Sequence, residues 1–432
     1  MLRDRRRVVT RYIRIIAFVL IAEALTARWG LSRLCVSSDI MYSCCNTLFL
    51  GGIFILFLYI LYVLGSHKIY KGIKYFVRHW KMMNKVRKSL KDAGYYVETY
   101  FRQEKVAVLP KIKISFTKDL TNGKIMISNN IKLDKRLEDV DVSSALGRYI
   151  VVEQYISDDF NAYIYEFEDA KMDHRLVFRS YDDFKDYTKM IPDYELFMDE
   201  KNVVRLSSLL LVGSTGSGKT YALYTLIFTM LNWKIQPHLY FCDPKNSSLV
   251  VLGNALCPDN TAGTVEDIIA LLERFHQDMQ ERKIELQEKL NQRLDSDYRD
   301  WEMQAHVLIF DEYSSFQSVV AGMDKKTRDH VSMMLRNIVL QGRQLGFFLW
   351  IVMQKSDASD IPTSIRDNLI WKIVLGNATR TTYLTAFESS ADLPVRNFGC
   401  GRGLYSYQGL TRQPKITSFP TLDFDILGAV RG

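Results

Sequence analysis

From Ile40 to Gly65 the chain carries no charged residue. Its core, TLFLGGIFILFLYILYVLG, has the length of a bilayer-crossing helix. A shorter apolar run, Ile15 to Ala27, precedes it and contains Glu23. Beyond residue 91 the pattern changes. KIKISF, GKIMISN, RYIVVEQYI and NAYIYEFED are short, rich in β-branched and aromatic residues and partly alternating. They predict strands of a small, mostly β domain, with turn residues such as Asn122-Gly123 between them. From residue 201 a third pattern takes over. LSSLLLVG, HLYFC, VLIF, GFFLWIVMQ and LIWKIVL are continuous apolar runs with helical patterns between them. That alternation predicts a parallel sheet buried on both faces, an α/β class of fold. The charged stretch between Thr264 and Trp301 reads as one long helix, a lone surface helix in preference to a coiled coil.

These patterns predict four segments. Residues 1–66 form a transmembrane hairpin, and 67–91 a basic juxtamembrane helix. Residues 92–200 form the small β-rich domain and an acidic connector, and 201–432 an α/β domain whose G-x-x-x-x-G-K-T run, Gly213–Thr220, marks it as a P-loop ATPase motor.

Charge refines the first segment. The chain has 57 Lys and Arg against 49 Asp and Glu, a net of +8. Residues 1–91 hold 17 of the basic residues and only Asp4, Glu23 and Asp39 as acids. The basic excess is therefore local, and net charge is no argument for nucleic-acid binding. Six arginines precede the first apolar run, and nine Lys or Arg follow the second, between Lys68 and Lys91. Both flanks favour the cytoplasmic face. Two spans satisfy both, whereas a single span leaves one flank outside. The expected localisation is the cell membrane, multi-pass, with the motor in the cytoplasm. In the basic stretch Ile69, Ile73, Phe76 and Trp80 recur at helical spacing, which predicts a helix along the anionic leaflet of the lipid bilayer.

The six cysteines are scattered and contain no CxxC pair, so neither a disulfide framework nor a structural zinc is expected. His174 is isolated and reads as structural.

Chemistry concentrates in the third pattern. Gly213, Ser214, Thr215, Gly216, Ser217, Gly218, Lys219 and Thr220 meet the spacing G-x-x-x-x-G-K-[ST] between an apolar run and a helical one. Such a loop wraps nucleotide phosphates with backbone N–H groups. Lys219 would place its charge on the β- and γ-phosphates, and Thr220 its hydroxyl on Mg²⁺. In HVLIFDEYSS the apolar run ends in Asp311-Glu312. Asp311 is the second expected ligand of Mg²⁺. Glu312 is the expected base for the attacking water. Gln354, at the tip of another apolar run, is placed to sense the γ-phosphate. An N-K-x-D tetrad for guanine is missing, which favours ATP over GTP.

The order of these motifs resembles the FtsK/SpoIIIE family of DNA translocases, from about Leu206 to Tyr407. VGSTGSGKT is similar to that family's phosphate loop, and Asp243-Pro244-Lys245 to its D-P-K-x-x-E-L motif. LIFDEY is similar to its acid strand, and GRQLGFFLWIVMQKSDASDIPTSIRDNL to its G-R…Q…I-R-x-N pattern. NATRTTYL and GCGRGLY resemble its closing elements. Three positions depart from the pattern. Ser248 stands in place of Glu, and Ser356 and Asp357 replace Arg-Pro. The chain ends about 25 residues beyond Tyr407, so an orientation-reading winged-helix domain is not expected.

The resemblance implies an ATPase that assembles as a ring, a homo-hexamer, and moves DNA through sequence-independent contacts. It implies a trans arginine from a neighbouring subunit, with Arg343 and Arg380 as candidates and Arg366 third. The compact form is similar to the coupling proteins of Gram-positive conjugative elements, whose partners are a relaxase and a membrane channel. The alternatives are a protein-secretion motor, disfavoured by the single motif set, and a chromosome-segregation pump.

Overall fold

The computed structural model describes residues 2–34, 38–129, 131–133, 142–355, 361–388 and 397–431. Ser356 and Asp357 lie outside them. The chain divides into two compact units, Met1–Met172 and Asp173–Gly432.

The first unit opens with two helices, α1 (Arg5–Arg33) and α2 (Asp39–Ser66). They pack along each other, and Gly52 lets them approach closely. A Cβ there would lie 2.6 Å from the Ile21 side chain and 2.9 Å from the Ala17 carbonyl. Among the described residues only α2 is long and apolar enough to cross a membrane. The first half of the expected hairpin lacks that property, because α1 carries arginines at both ends and Glu23 within it.

Helix α3 (Ile73–Asp92) follows, then strands β1 (Val97–Phe101), β2 (Glu104–Val108), β3 (Ile112–Phe116), β4 (Asn122–Ser128), β5 (Tyr149–Ile156) and β6 (Ala162–Asp169). β3 to β6 form one antiparallel sheet in the order β3-β4-β6-β5. Its alternating pattern puts Ile112, Ile114, Phe116, Ile125, Ile127, Tyr165 and Phe167 into a core. α3 closes that core with Tyr75, Met82, Met83, Val86 and Leu90. The basic helix is therefore part of the small domain. It has two apolar faces, because Ile73 and Trp80 point outward and are exposed. Asn122 and Gly123 lie inside β4, not in a turn. Glycine is required at 123 by close approach: a Cβ would sit 2.2 Å from the Ser115 carbonyl and 2.4 Å from the Phe167 ring.

The second unit is built on an eight-stranded sheet. Its strands are β7 (Leu209–Gly213), β8 (His238–Cys242), a two-residue edge (Thr261–Ala262), β9 (His306–Phe310), β10 (Phe347–Met353), β11 (Trp371–Leu375), β12 (Arg402–Tyr407) and β13 (Lys415–Ser418). The spatial order is edge-β8-β9-β10-β7-β11-β12-β13. Pairing is parallel from the edge through β11 and antiparallel for the last two strands. Every residue of β7, β9, β10 and β11 is buried, as continuous apolar strands require. Helix α4 (Lys219–Leu231) is apolar all round and buried from Ala222 to Met230. Helix α5 (Val265–Leu290) turns Ile268, Leu272, Phe275 and Met279 inward and packs on α6 (Lys325–Leu345). The long charged stretch is thus a motor helix and ends at Leu290.

The expected division at residue 200 is displaced to 172/173. Val177–Phe178 pairs in parallel with Thr421–Leu422, near the other end of the unit. The short helix Tyr181–Thr188 buries Phe184 completely in the motor core.

Candidate nucleotide-binding site

Four neighbouring strands end on the same edge of the sheet, and each delivers one part of a site. β7 runs into the loop Ser214–Gly218, which enters α4 at Lys219. Positive φ angles at Gly216 (78°) and Gly218 (97°) give the loop its curl. Gly218 has a second constraint. A Cβ there would lie 2.6 Å from the backbone nitrogen of Gly401, which donates to the Ser217 carbonyl at 2.7 Å. The turn Gly399–Gly401 therefore buttresses the loop, and Arg175 donates in turn to the Cys400 carbonyl.

The loop's open N–H groups and the positive end of α4 make an anion cradle. Lys219 Nζ lies 2.5 Å from the Gly213 carbonyl and 3.4 Å from that of Ser214, so the ammonium is folded onto its own loop. Burial lowers its pKa, while Asp311 and Glu312 oppose that shift. Thr220 is exposed on the first turn of α4.

β9 delivers Asp311 and Glu312. The Asp311 amide donates to the Cys242 carbonyl at 2.9 Å, which extends the ladder one step beyond the strand. Burial raises the Asp311 carboxyl to about 6, with the nearby charges of Asp243 and Glu312 adding to the shift. Glu312 has a φ of 50° and begins the helix Tyr313–Ala321. A left-handed glutamate is strained, a cost on the order of 1–3 kcal/mol that marks functional turns. Its side chain meets two others. Gln354, one residue past β10, donates from Nε2 to Oε1 at 2.7 Å. Lys245, past the end of β8, pairs through Nζ with Oε2 at 2.8 Å. Burial would raise the Glu312 carboxyl, but the hydrogen bonds from Lys245 and Gln354 outweigh it and hold it below its ordinary value.

Asp243 is fully buried and organises the β8 turn. It accepts from the amides of Lys245 at 2.9 Å and Ser247 at 2.8 Å and from the Ser247 hydroxyl. That turn fixes where Lys245 leaves the sheet. The D-P-K motif was visible in sequence, but the contact of Lys245 with Glu312 was not. The Gly399–Gly401 turn likewise has no local signal for its place against the phosphate loop.

The residues fit a nucleotide with a divalent cation. Lys219 donates to the loop carbonyls of Gly213 and Ser214, and Ser217 Oγ is buried with no hydrogen-bond partner among the described residues. Among the described residues no cluster of three or more His, Cys, Asp or Glu could hold a metal alone. A cation here would rely on phosphate oxygens together with Thr220 and Asp311.

The arginines lie elsewhere. Arg343 is at the C-terminal end of α6, which leads into the start of β10, at the sheet edge opposite the phosphate loop. It lines a cleft of about 450 Å³ with Arg205, Asp297 and Arg299. Arg380 opens the helix Arg380–Phe387 beyond the C-terminal end of β11, on the loop's side of the sheet. Arg366 faces Glu388 at 3.8 Å.

Comparison with known proteins addresses this unit. Residues 186–365 match the FtsK/SpoIIIE family. The Ftsk domain-containing protein YdcQ of Bacillus subtilis (strain 168) is 29% identical over 199 residues, 46% of this chain and 40% of YdcQ. The match thus spans less than half of that relative's length. The pCW3 conjugation coupling protein TcpA, in its monomer form with ATPgS, has 16% identity, a TM-score of 0.49, and coverage of 80% of this chain and 96% of that one. EssC (ATPases 2 and 3) from Geobacillus thermodenitrificans has 16% identity, a TM-score of 0.43, and coverage of 60% and 50%.

Proposed function

We propose that residues 186–365, which match the FtsK/SpoIIIE family, form a P-loop ATPase domain of that kind and that the chain is a membrane-anchored, ATP-driven DNA translocase. Its role would be that of a coupling protein, which delivers DNA to a conjugative transfer channel and works with a relaxase and the channel proteins. The observation that carries the hydrolytic part is the convergence of Lys219, Asp311, Glu312 and Gln354 at the ends of three adjacent strands.

The loop Gly213–Thr220 holds the phosphates of ATP, and Lys219 swings from the Gly213 carbonyl to the β- and γ-phosphates. Mg²⁺ would supply charge neutralisation at those oxygens, held on the protein side by Thr220 and Asp311. Glu312 orients the attacking water and accepts its proton. Gln354 touches Glu312 directly, so loss of the γ-phosphate is relayed through that hydrogen bond to β10. Arg343, remote from its own loop, completes the site of a neighbouring chain in a homo-hexameric ring.

The membrane part rests on the charge-free stretch of α2, with basic residues on both flanks of the α1–α2 pair. α2 crosses the bilayer. α1, although its apolar run is shorter and carries Glu23, would return beside it as a second span through its packing on α2, which would keep both basic flanks and the motor on the cytoplasmic side.

Displacement of a third strand from duplex DNA, driven by ATP and abolished in Glu312→Gln, tests the translocase reading. ATP turnover with no displacement of any DNA-bound block would sink it.

A further inference from the structure

The first unit holds a cationic groove that the motor reading does not use. It has a volume of about 620 Å³ and is lined by residues from Arg3 to Ile15, by Arg87, Lys88 and Lys91 of α3, and by Glu104. Seven of its side chains are cationic and two are carboxylates. One carboxylate is already engaged. Asp4 is buried, accepts from the Arg6 amide at 3.0 Å and pairs with Arg87 Nε at 3.2 Å. The short strand Arg3–Asp4 pairs in parallel with β2, Arg3 opposite Val106 and Asp4 opposite Ala107. The groove wall is thus built by sheet pairing and a buried ion pair and is not a mere run of solvated arginines. Among the described residues Arg7, Arg11, Lys88 and Lys91 form no ion pair.

Two further observations name the ligand. The groove includes the buried Val8 and also Ile15, where the apolar run of α1 begins. Its lining therefore interleaves cationic side chains with the apolar Val8 and Ile15. Its height is set by α2: Arg6 donates to the Tyr62 hydroxyl at 3.2 Å, four residues before the helix ends at Ser66. Arg11 and Arg14 lie roughly 8–12 Å further along α1, a depth their long side chains span.

We propose that this groove binds the phosphate headgroup of an anionic phospholipid, with the first acyl carbons against Val8 and Ile15. The proposal rests on the reading of α2 as a membrane anchor. A phosphate diester at headgroup height meets four cations that form no ion pair among the described residues, in a lining where seven cations face only Asp4 and Glu104, and its charge relieves their mutual repulsion. Duplex DNA is the poorer fit, because a pocket of this size takes a small ligand and the apolar Val8 and Ile15 offer nothing to a phosphodiester backbone.

The test uses the full chain in nanodiscs of phosphatidylcholine with a minor share of phosphatidylglycerol. Phosphatidylglycerol retained per chain after detergent exchange is measured by lipid extraction and mass spectrometry. The wild type is expected to retain it selectively, and the triple variant Arg7→Gln/Arg11→Gln/Lys91→Gln to lose at least about tenfold. The charge-keeping variant Arg7→Lys/Arg11→Lys should restore much of the retention, which a folding defect would not allow. Equal retention in wild type and triple variant would overturn the proposal. So would displacement of the lipid by inorganic phosphate at millimolar levels, or a variant that loses duplex DNA but keeps lipid. Carbonate extraction reads the anchor separately. Wild type and variant should both stay in the membrane, and release of the wild type would overturn the anchor and the groove together.

Discussion

The ammonium of Lys245 and the carboxylate of Glu312 stand 2.8 Å apart, across the ends of two neighbouring strands. Glu312 is thereby held by a cation before any phosphate or water reaches it. The pair restrains Glu312, the proposed base. Lys245 is about half exposed and Glu312 about one-fifth, so the pair is worth only about 0.2–1 kcal/mol. Lys245→Met is accordingly expected to raise ATP turnover without cargo by a modest factor, about two- to fivefold. It should also shift the acid limb of the pH–rate profile upward, because Glu312 loses the partner that lowers its pKa. Steady-state hydrolysis across pH reads both effects, and a variant slower than wild type at every pH would count against restraint.

Removal of the base gives a larger effect. Glu312→Gln keeps the hydrogen bond to Gln354 in kind but cannot accept a proton. Turnover is expected to fall by about 10²–10⁴-fold. Nucleotide affinity, measured by fluorescent analogue titration, should change little because the phosphate grip is intact. Lys219→Ala should do the reverse and abolish binding first.

The protonation of Asp311 sets a pH limit. Its folded pKa is raised to about 6 from 3.8 by burial. The neutral form is therefore the one the fold prefers, and this group's contribution to stability is fullest below about 4 and is lost as pH rises through 6. Metal-dependent nucleotide binding runs the other way, because only the ionised carboxylate holds a cation. Mg²⁺-dependent affinity by calorimetry is expected to weaken as pH falls through about 6, with proton release on binding. Asp311→Asn should flatten that dependence.

Gly216 and Gly218 separate strain from clash. Both have positive φ, but a Cβ at Gly216 meets nothing within 4 Å, while one at Gly218 meets the Gly401 main chain. Gly216→Ala is expected to cost about 1 kcal/mol in unfolding free energy. Gly218→Ala should cost about 1–3 kcal/mol more and abolish nucleotide binding, because the buttressing turn must move. Chemical denaturation and nucleotide titration on the two variants decide this.

The position of Arg343 on the opposite sheet edge calls for complementation. Arg343→Ala and Glu312→Gln should each be inactive alone. In an equimolar mixed ring about a quarter of interfaces would join an intact Glu312 to an intact Arg343 from the neighbour. Hydrolysis recovering to roughly that share supports a trans arginine. No recovery in mixed rings removes Arg343 from the site.

Much of this was legible in the sequence, for local reasons. The apolar strands β7, β9, β10 and β11 are uninterrupted, and Gly213, Asp311 and Gln354 stand at their ends. The strands β3, β4 and β6 alternate visibly as well. What stayed hidden depends on contacts far apart in sequence. Val177–Phe178 joins the motor through Thr421–Leu422, and no local pattern marks a two-residue strand. Asn122-Gly123 has turn composition, but the approach of Ser115 and Phe167 uses its glycine inside a strand. Lys245 sits in a recognisable motif, yet its bond to Glu312 exists only because β8 and β9 are neighbours.

Nucleotide hydrolysis at this site is proposed to be coupled to the movement of DNA and therefore stimulated by it. The most direct measurement is ATP hydrolysis by the full chain in nanodiscs, with and without single- or double-stranded DNA and with Glu312→Gln as control. The expected result is turnover that rises severalfold with one of the two DNA forms, increases with DNA length, and vanishes in the control. Unchanged turnover with both forms, under conditions where the chain binds nucleotide and assembles, would contradict it.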